Sequence, residues 1–545
     1  MFCKFHPVTL LCWVLCVAVI FGLAGACSSE QYKAQADEEV YKIIDNKWQD
    51  SFGQKANYII SDANIPASPN DVEIAEMIPP SDVLNLEQAV AIATKYNREY
   101  QNQKESLYLS ALYLTLTRHQ YARQWFGTID GSYVDDKSNG DGDDVSINAS
   151  GGVNQQFLLL DGVIVNAGIV IDWTRFLTDD PRTTLGSVLS GDITVPLLGA
   201  GAGKSARENL TQAERNVLYR IRSFNRYRKT FVVGIISDYY RVLQQKDSVT
   251  ITKASYQRQV ESTNQLKMEV EVGQRAPSEA DEAMQRLLSA ENNLISAQQR
   301  YEQTLDKFKI RLSLPTDANI ILDQNELLAL EEIGVSQPDY TEAEAIEMSL
   351  VRRLDLANTR DGLDDAARKL KLAAEGLGVE LNLIGSANVS SPEDEDDFTN
   401  LQFHRGVYEL GFEADLPLDR KAERNAYREA LITTEQRQRS YDEEAENVKL
   451  DVRQAYRDLT ETAESYRIQQ VGLELARRRV EEQKLRLEYG QGTIRLLLET
   501  EDDLVSAQNN VIGALVNHTI AKMSFFRDIG ILQVRPDGMW EHRAK

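Results

Sequence analysis

The chain has 545 residues, of which 84 are acidic and 60 basic, so its formal net charge is −24. This balance argues against a nucleic-acid partner, which requires a concentrated basic surface. No segment beyond the N-terminal region contains 18 uncharged apolar residues in a row, so any membrane span of the mature chain would have to be β rather than α.

Residues 1–26 have the features of a secretory signal peptide: Lys4 supplies positive charge, Val8–Ala26 is apolar, and small residues precede Cys27. An uncleaved anchor is the alternative, since about 19 apolar residues can just span a bilayer. No cysteine follows position 27, so the mature chain has no internal disulfide. The Ala-Gly-Ala-Cys ending resembles the lipobox of bacterial lipoproteins. This resemblance implies that Cys27 becomes a lipidated, palmitate-bearing first residue, and Ser28 and Ser29 after it imply sorting to the outer membrane.

Two long stretches without proline predict long helices. They lie between Pro196 and Pro277 and between Pro417 and Pro536, and they are rich in Gln, Glu, Arg, Leu and Ala. The first predicts a helix from about Ser205 to Val270, on the order of 95 Å long.

The sequence repeats itself. The segment SAENNLISA, Ser289–Ala297, recurs 217 positions later as SAQNNVIGA, Ser506–Ala514, and Tyr240 matches Tyr456 at an offset of 216. A recurrence of this length predicts a tandem duplication of a unit of roughly 220–255 residues.

Each copy is expected to contain a helical hairpin. Glycines separate its two helical runs at Gly273-Gln274, with Pro277 just beyond, and at Gly490-Gln491-Gly492. The second helix of each hairpin has a heptad pattern of large residues and alanine, which is typical of coiled-coil packing. His518 lies in this seam and is interpreted as a packed or pore-edge residue rather than a ligand.

Between the helices, Trp125–Tyr133 and Val163–Trp173 alternate between apolar and polar or small residues, with Asp130 and Asp172 on the polar sides. The corresponding segments of the second copy are Gly378–Ser390 and Leu401–Leu418. Period-2 alternation predicts strands with one apolar face. A transmembrane barrel fits this pattern, and a soluble sandwich fits it almost as well.

The spacing between the copies locates an insertion. It is 254 where Ala91 matches Ala345 and 221 where Val195 matches Leu416, so the first copy has about 33 extra residues upstream of its strand end. We interpret them as an added β-hairpin that turns at Leu160–Gly162. A disordered or plug-like loop is the alternative.

No pattern indicates an enzyme, a cofactor or a metal. Gly199–Ser205 looks like a P-loop, but Leu198 stands where the first glycine is required, and a flexible strand-to-helix corner fits better. Asp135–Asp144 looks like a calcium loop, but Lys137 stands at the third ligand position. A solvated loop is favoured there, with loose divalent binding as the alternative. The five histidines show no ligand spacing.

Three segments carry a family resemblance: Leu84–Asn97 (LNLEQAVAIATKYN), Val195–Gly203 (VPLLGAGAG) and Phe308–Pro315 (FKIRLSLP). In this order within a duplicated strand-and-helix unit, they resemble the TolC-type outer-membrane efflux protein family, over about Leu84–Gly530 and in its lipoprotein subgroup. The fold implied is mixed and mainly α. Three copies pool their strands into an outer-membrane β-barrel, which a long periplasmic α-helical barrel continues. The family usually has two strands per copy, so four or six strands per protomer remain open.

The resemblance also implies partners and a location. The protein would be a lipid-anchored homotrimer of the outer membrane that extends into the periplasm of a Gram-negative-type bacterium. Its hairpin tips would meet a periplasmic adaptor protein and an inner-membrane RND or ABC transporter. The residues at these tips are Val272, Gly273, Gln274, Gly490, Gln491, Gly492 and Thr493.

The predicted organisation has six parts. They are a signal peptide (1–26), a lipidated linker with a short helix (27–80), repeat 1 (81–316, β region about 125–197), an equatorial segment (317–339), repeat 2 (340–530, β region about 378–418) and a C-terminal tail (531–545). The predicted function is a passive efflux or export channel, and the acidic balance favours cations. The alternative is a lipid-anchored periplasmic coiled-coil scaffold without a pore.

Overall fold

The computed structural model describes residues 28–55, 57–60, 83–136, 144–159, 162–176, 183–198, 202–335, 339–392, 397–416, 418–535 and 540–542. The signal peptide, Cys27, residues 160–161 and most of Asp135–Asp144 lie outside these ranges. The α-helices of the described residues are α1 (Ser29–Lys47), α2 (Leu86–Tyr96), α3 (Arg98–His119), α4 (Ala202–Glu271), α5 (Pro277–Arg311), α6 (Asn325–Ile333), α7 (Glu342–Arg352), α8 (Leu354–Glu375), α9 (Lys421–Glu488) and α10 (Ile494–Asp528). Their strands are β1 (Val83–Leu84), β2 (Gln124–Asp136), β3 (Asp144–Leu158), β4 (Ile164–Phe176), β5 (Thr183–Leu198), β6 (Ile321–Leu322), β7 (Glu380–Ser390), β8 (Val407–Asp415), β9 (Leu532–Val534) and β10 (Trp540–His542).

Two helices are unusually long, as the proline-free stretches predict. Helix α4 has 70 residues and α9 has 68. At 1.5 Å per residue, each is about 100 Å long. The predicted start and end of α4, Ser205 and Val270, lie within three residues of the observed Ala202 and Glu271. Helix α5 begins with Pro277, a position where the missing N–H of proline costs nothing.

The two long hairpins match each other. Helices α5 and α10 each have 35 residues and begin at Pro277 and Ile494, which are 217 positions apart. An edge-to-face ring pair, Tyr239 with Phe308 at 6.1 Å, has its counterpart in Tyr456 with Phe525 at 6.0 Å. This contact makes Tyr239, rather than the sequence-matched Tyr240, the equivalent of Tyr456. The offset in the long helices is therefore 217 and not 216 at this point.

The helices follow one another in a series of contacts. Helix α4 packs against α3 and α5, and also against α8 and α10, whereas α9 packs against α8 and α10. Asn97 Nδ2, at the start of α3, donates to the Arg311 carbonyl at the end of α5 (2.9 Å), so α5 meets α3 end to end. Gly530, just after α10, lies against Arg352 at the junction of α7 and α8. The helices therefore form four columns: α3 with α5, α4, α8 with α10, and α9.

The hydrophobic cores lie midway along the molecule. The larger core joins α1, α2, α3 and the central part of α4 to the end of α5 and β6, with Tyr239 and Phe308 fully buried. A second core joins α7, α9 and the end of α10 around Phe525. The short parallel pair of β1 with β6 ties the segment before α2 to the segment after α5. This position of the cores leaves the sheet at one end and the hairpin tips at the other.

One antiparallel sheet has six strands in the order β2-β3-β4-β5-β7-β8. Four strands precede α4 and two follow α8, so the extra residues of the first copy form a β-hairpin, as predicted. Between β3 and β4, the Leu159 N–H donates to the Val163 carbonyl (2.8 Å), and Gly162 has a φ of +82°. Strands β2 and β8 are the two edges of the sheet.

One strand prediction was too long. The predicted strand Leu401–Leu418 is reduced to Val407–Asp415, because Phe403–Arg405 forms a 3-10 turn in which the Arg405 N–H donates to the Gln402 carbonyl (2.9 Å). Alternation counts apolar positions and does not detect such a turn. In β5, Pro196 stands beside a bulge in the pairing with β7, which fits its missing N–H.

Candidate functional site

Both hairpin tips have the same backbone geometry. Gly273 and Gly490 have φ values of +76° and +69°, in the left-handed region. At each tip the next residue, Gln274 or Gln491, donates its N–H to the carbonyl five residues earlier, at 2.8 Å. This is the Schellman arrangement that ends a helix, and glycine adopts it without steric cost. The structure thus places the predicted tip residues of both copies in equivalent turns.

The tips present side chains to the solvent. Val272 is 70% exposed. The exposed residues of the predicted set are Val272, Gly273, Gln274, Gly490, Gln491 and Thr493. Gly492 is half-buried, and a Cβ there would lie 3.0 Å from the Leu487 nitrogen. A side chain at this position would therefore crowd the backbone of the second hairpin, which glycine avoids.

The two tips are held side by side by a small apolar cluster. Leu266 of α4 and Ala283 of α5 are buried together with Ile494 and Leu498 of α10. The sequence-predicted tip residues therefore lie on one composite surface. Sequence reasoning missed this cluster, because it identified the corners of the hairpins without showing which hairpin faces contact each other.

Ion pairs between the hairpins lie close to the tips. Arg286 of α5 pairs with Asp502 of α10 at 3.5 Å, and Arg495 pairs with Glu282 at the same distance. Burial raises the pKa of the Asp502 carboxyl, although the positive charge of Arg286 opposes this rise. Exposed pairs of this kind contribute little stability, so they align the hairpins more than they hold them together.

The tips differ in charge. In the first copy, Arg275 pairs with Glu269 at 3.3 Å and with Glu279 at 3.5 Å. The residue 217 positions later is Gly492, which has no side chain. A partner that contacts both tips therefore meets two chemically distinct surfaces on one backbone framework.

The sheet has one apolar face. Pairing places Trp125 opposite Gln155 and Ile129 opposite Gly151, which in turn is opposite Ile171. Farther along the sheet the same face carries exposed Leu410 (79%) and exposed Phe412 (72%). The side chains that the sequence assigned to the apolar sides of β2 and β4 do share this face.

The other face is polar and acidic. The register joins Asp130 through Ser150 to Asp172, and Asp192 through Ser386 to Glu409. Among the strand residues whose side chains the structure describes, this face carries no lysine or arginine. Its carboxylates are Asp130, Asp172, Asp192, Glu380, Glu409, Glu413 and Asp415. Sequence reasoning assigned Asp130 and Asp172 to the polar side but missed the other five.

The remaining candidates have structural roles or lie outside the described residues. Lys204, in the glycine-rich segment, lies in the first turn of α4 and pairs with Glu375 at 3.0 Å. His518 is buried, and its Nδ1 lies 3.4 Å from Thr462 Oγ1, which agrees with its interpretation as a packed residue. Across the described part of the chain, no cluster of His, Cys, Asp or Glu has the geometry of a metal site. Cys27 is not among the described residues.

No helix in the ranges that the structure describes combines the length and apolar character needed to cross a bilayer.

Comparison with known proteins agrees with this architecture. Residues 345–526 match the outer membrane efflux protein family, whose members are channels and not enzymes. The chain is 22% identical over 162 residues to toxin and drug export protein A of Aggregatibacter actinomycetemcomitans; this match covers 30% of the chain and spans about a third (34%) of that relative.

Solved structures match nearly the whole fold. The Campylobacter jejuni CmeC outer membrane channel has a TM-score of 0.60 at 14% identity, and the match covers 88% of this chain and 91% of CmeC. CusC gives a TM-score of 0.60 at 13% identity, with coverage of 87% and 99%. The resemblance predicted from the sequence is therefore confirmed: residues 345–526 match the outer membrane efflux protein family, and the chain as a whole has the mainly helical fold of TolC-type outer-membrane channels.

Proposed function

We propose that the protein is a passive outer-membrane channel of a tripartite efflux or export system. It would conduct small molecules or secreted substrates from an inner-membrane pump to the outside. The observation that carries this proposal is a sheet with one apolar and one polar face, continued by two matched helical hairpins. The family match and the fold support an outer-membrane location.

The exposed apolar face of the sheet favours a membrane span over a soluble lobe. A soluble sandwich covers such a face with a second layer. Among the described residues, the six strands contact mainly one another, and β7 also contacts the 3-10 turn Phe403–Arg405. Trp125 and Ile129 are 68% and 74% exposed on this face. Lipid would cover these side chains, and the polar face would line water.

The ends of the helix series support a trimer. Exposed large apolar side chains are concentrated on the end columns, with single examples on the inner helices α4 and α10. On α3 and α5 they include Leu109, Tyr113, Leu116, Met284, Leu288 and Ile295. On α9 they include Ile468, Val471, Leu475 and Leu485, which follow heptad spacing. One copy's α5 can therefore pack against the next copy's α9.

The sheet edges lie at the same two ends. Strand β2 follows α3 directly, and β8 immediately precedes α9. A single rotation that joins α9 to the next copy's α3 and α5 thus also brings β8 to the next β2. Closed symmetry satisfies both unpaired edges, which an isolated protomer leaves open.

The proposal includes an anchor and two partners. A lipid on Cys27 would fix the protein to the outer membrane. The composite tip surface would contact a periplasmic adaptor, through which an RND or ABC transporter supplies substrate and energy. The exposure of Val272 and the two equivalent glycine turns support this assignment.

Conductance tests the channel. Purified trimers inserted into planar bilayers are expected to give discrete current steps. A variant with Leu288→Glu and Ile295→Glu, which blocks assembly through α5, is the control and is expected to give none. Correctly folded trimers that insert without conducting would contradict the proposal. The scaffold alternative predicts that Cys27→Ala protein is extracted without detergent.

Co-purification tests the partners. After crosslinking in cells, the wild-type protein is expected to retain an adaptor and a pump that mass spectrometry identifies. Val272→Asp combined with Gln491→Asp is expected to reduce this recovery at least tenfold, because it places charge on the contact surface. Glu38→Gln on α1 is the control. Equal recovery with all three proteins would exclude the tips as the contact.

A further inference from the structure

The sheet of one protomer has six strands, whereas two strands in each of its two repeats would give four. We infer that three protomers close an 18-stranded barrel with a bore as wide as the helical layer below it. The size limit of the channel then lies at the helices and not in the membrane. This inference rests on the proposed trimer and deepens it.

Strand geometry sets the width. Strands about 4.8 Å apart and tilted by about 40° each occupy about 6 Å of circumference. Six strands from each of three copies give a diameter of about 36 Å between backbones. Four strands from each copy would give about 24 Å.

Helix geometry gives the second width. Each copy contributes four columns, because α5 meets α3 end to end and α10 meets the junction of α7 and α8. Twelve columns about 10 Å apart form a ring of about 38 Å. A barrel with six strands per protomer therefore matches the diameter of the helical ring. A barrel with four strands per protomer would be narrower than the ring by about a third.

The edges suit closure with a second copy. Strands β2 and β8 run in opposite directions relative to the helices, because β2 leaves α3 and β8 enters α9. They can therefore pair antiparallel between copies. Closure within one chain would leave no pore, since about eight strands already give an interior that side chains fill.

Strands β3 and β4 account for the extra width. Residues 144–176 contain both strands and the turn between them. Their removal leaves β2 and β5 in adjacent, oppositely directed positions, with their apolar residues on one face. A chain without these residues would form a four-stranded sheet on unchanged helices.

Disulfide crosslinking tests the closure. No native cysteine follows Cys27, so introduced cysteines report alone. We expect Ile129→Cys on β2, combined in turn with Tyr408→Cys, Leu410→Cys or Phe412→Cys on β8, to give covalent trimers. Ile169→Cys with Leu410→Cys is the control, because two strands separate β4 from β8. A helix-edge pair, Ile295→Cys with Leu475→Cys, reports the trimer independently.

The outcomes separate the two proposals. Trimers linked at the helix edge but never at the strand edge would overturn the 18-stranded closure and leave the trimeric channel intact. Linkage within one chain at the strands would also overturn it. Failure of both edges would refute the channel assembly itself.

Polymer exclusion tests the bore. Poly(ethylene glycol) of increasing size, added from the strand side, is expected to enter the wild-type channel up to a clearly larger size than in the variant lacking 144–176. The open-channel conductance of this variant is also expected to fall, because a narrower membrane section adds resistance in series with the unchanged helical section. Equal cut-offs and conductances in trimers of both proteins would overturn the inference.

Discussion

Ser313 and Gly530 occupy equivalent positions in the two halves of the chain. Both follow the shorter helix of a hairpin and have left-handed φ values, +61° and +83°. After each, the next N–H donates to the carbonyl five residues earlier, at 2.9 Å for Leu314 and 3.1 Å for Ile531. Serine thus adopts a backbone conformation that costs a non-glycine residue about 1–2 kcal/mol.

Ser313→Gly is expected to stabilise the protein by about 0.5 kcal/mol, because relief of the left-handed strain exceeds the greater freedom of glycine in the unfolded chain. The matched change Gly530→Ser is expected to destabilise it by about 2 kcal/mol, since the new Cβ would lie 3.0 Å from Arg352 Cβ. Chemical unfolding followed by circular dichroism measures both. An equal effect of the two changes would contradict this account.

His518 makes stability depend on pH. Burial, with a smaller contribution from Lys522, lowers its pKa from 6.5 to about 4, and no described residue forms a hydrogen bond with its Nε2. In the unfolded chain the His518 imidazole binds a proton near pH 6.5, whereas in the folded chain it is protonated only near pH 4. Stability therefore falls as the pH is lowered through this window, by about 3 kcal/mol in total.

His518→Leu is expected to flatten the stability curve between pH 6.5 and 4. Unfolding midpoints measured at several pH values test this. His119→Gln, at the surface end of α3, is the control for replacing a histidine. If stability depended on pH as steeply in the His518→Leu protein as in the wild type, other groups would cause the acid sensitivity.

At the scale of elements, the proposed trimer depends on the helix edges. Leu288→Glu with Ile295→Glu is expected to shift the purified protein from trimers to monomers, with association weakened at least 100-fold, because two apolar side chains contribute about 3 kcal/mol or more on burial. Sedimentation in detergent measures the shift. Met268→Glu on the inner helix α4, where the side chain is 61% exposed, is the control. Trimers that withstand the double change would place the interface elsewhere.

The elements also show how far the sequence could predict the fold. The bounds of α4 were predictable within three residues because strong helix formers fill the proline-free stretch and the Gly273-Gln274 corner closes it. Adjacent tyrosines at 239 and 240 were not distinguishable until the ring of Phe308 showed which one packs. The contacts between the tips were not predictable, because the faces of two helices that meet depend on the tertiary arrangement.

For the candidate site, the sequence located the tip corners but only part of the acidic face. The alternation of Tyr408, Leu410 and Phe412 with Glu409 and Glu413 already carries the signal. The predicted strand Leu401–Leu418 was too long, and the prediction did not state which of its residues lie on the polar face. Pairing with β7 then fixes the face of each residue.

At the scale of the whole molecule, the acidic face predicts the selectivity of the channel. With carboxylates and no described basic side chain on this face, the lumen is expected to favour cations. Asp192→Asn, Glu409→Gln and Glu413→Gln together are expected to move the reversal potential in a salt gradient toward zero. Neutralising Glu30, Glu38 and Glu39 on α1 is the control. An anion-selective wild-type channel would reject this assignment.

The pairing of β5 with β7 indicates the order in which the strands of the sheet form. Leu189 of β5 pairs with Val389 of β7, 200 positions later, whereas the pairings of β2 with β3, β3 with β4 and β4 with β5 join strands that are neighbours in sequence. Local hairpins form quickly, and distant pairings must wait for a long loop to close. During secretion the four-stranded meander can therefore form first, with the edge of β5 unpaired until the long first hairpin and α8 have followed. The newly secreted chain would thus expose an unpaired strand edge that can pair with other chains and aggregate. We expect periplasmic chaperones to protect this edge until the proposed trimer assembles.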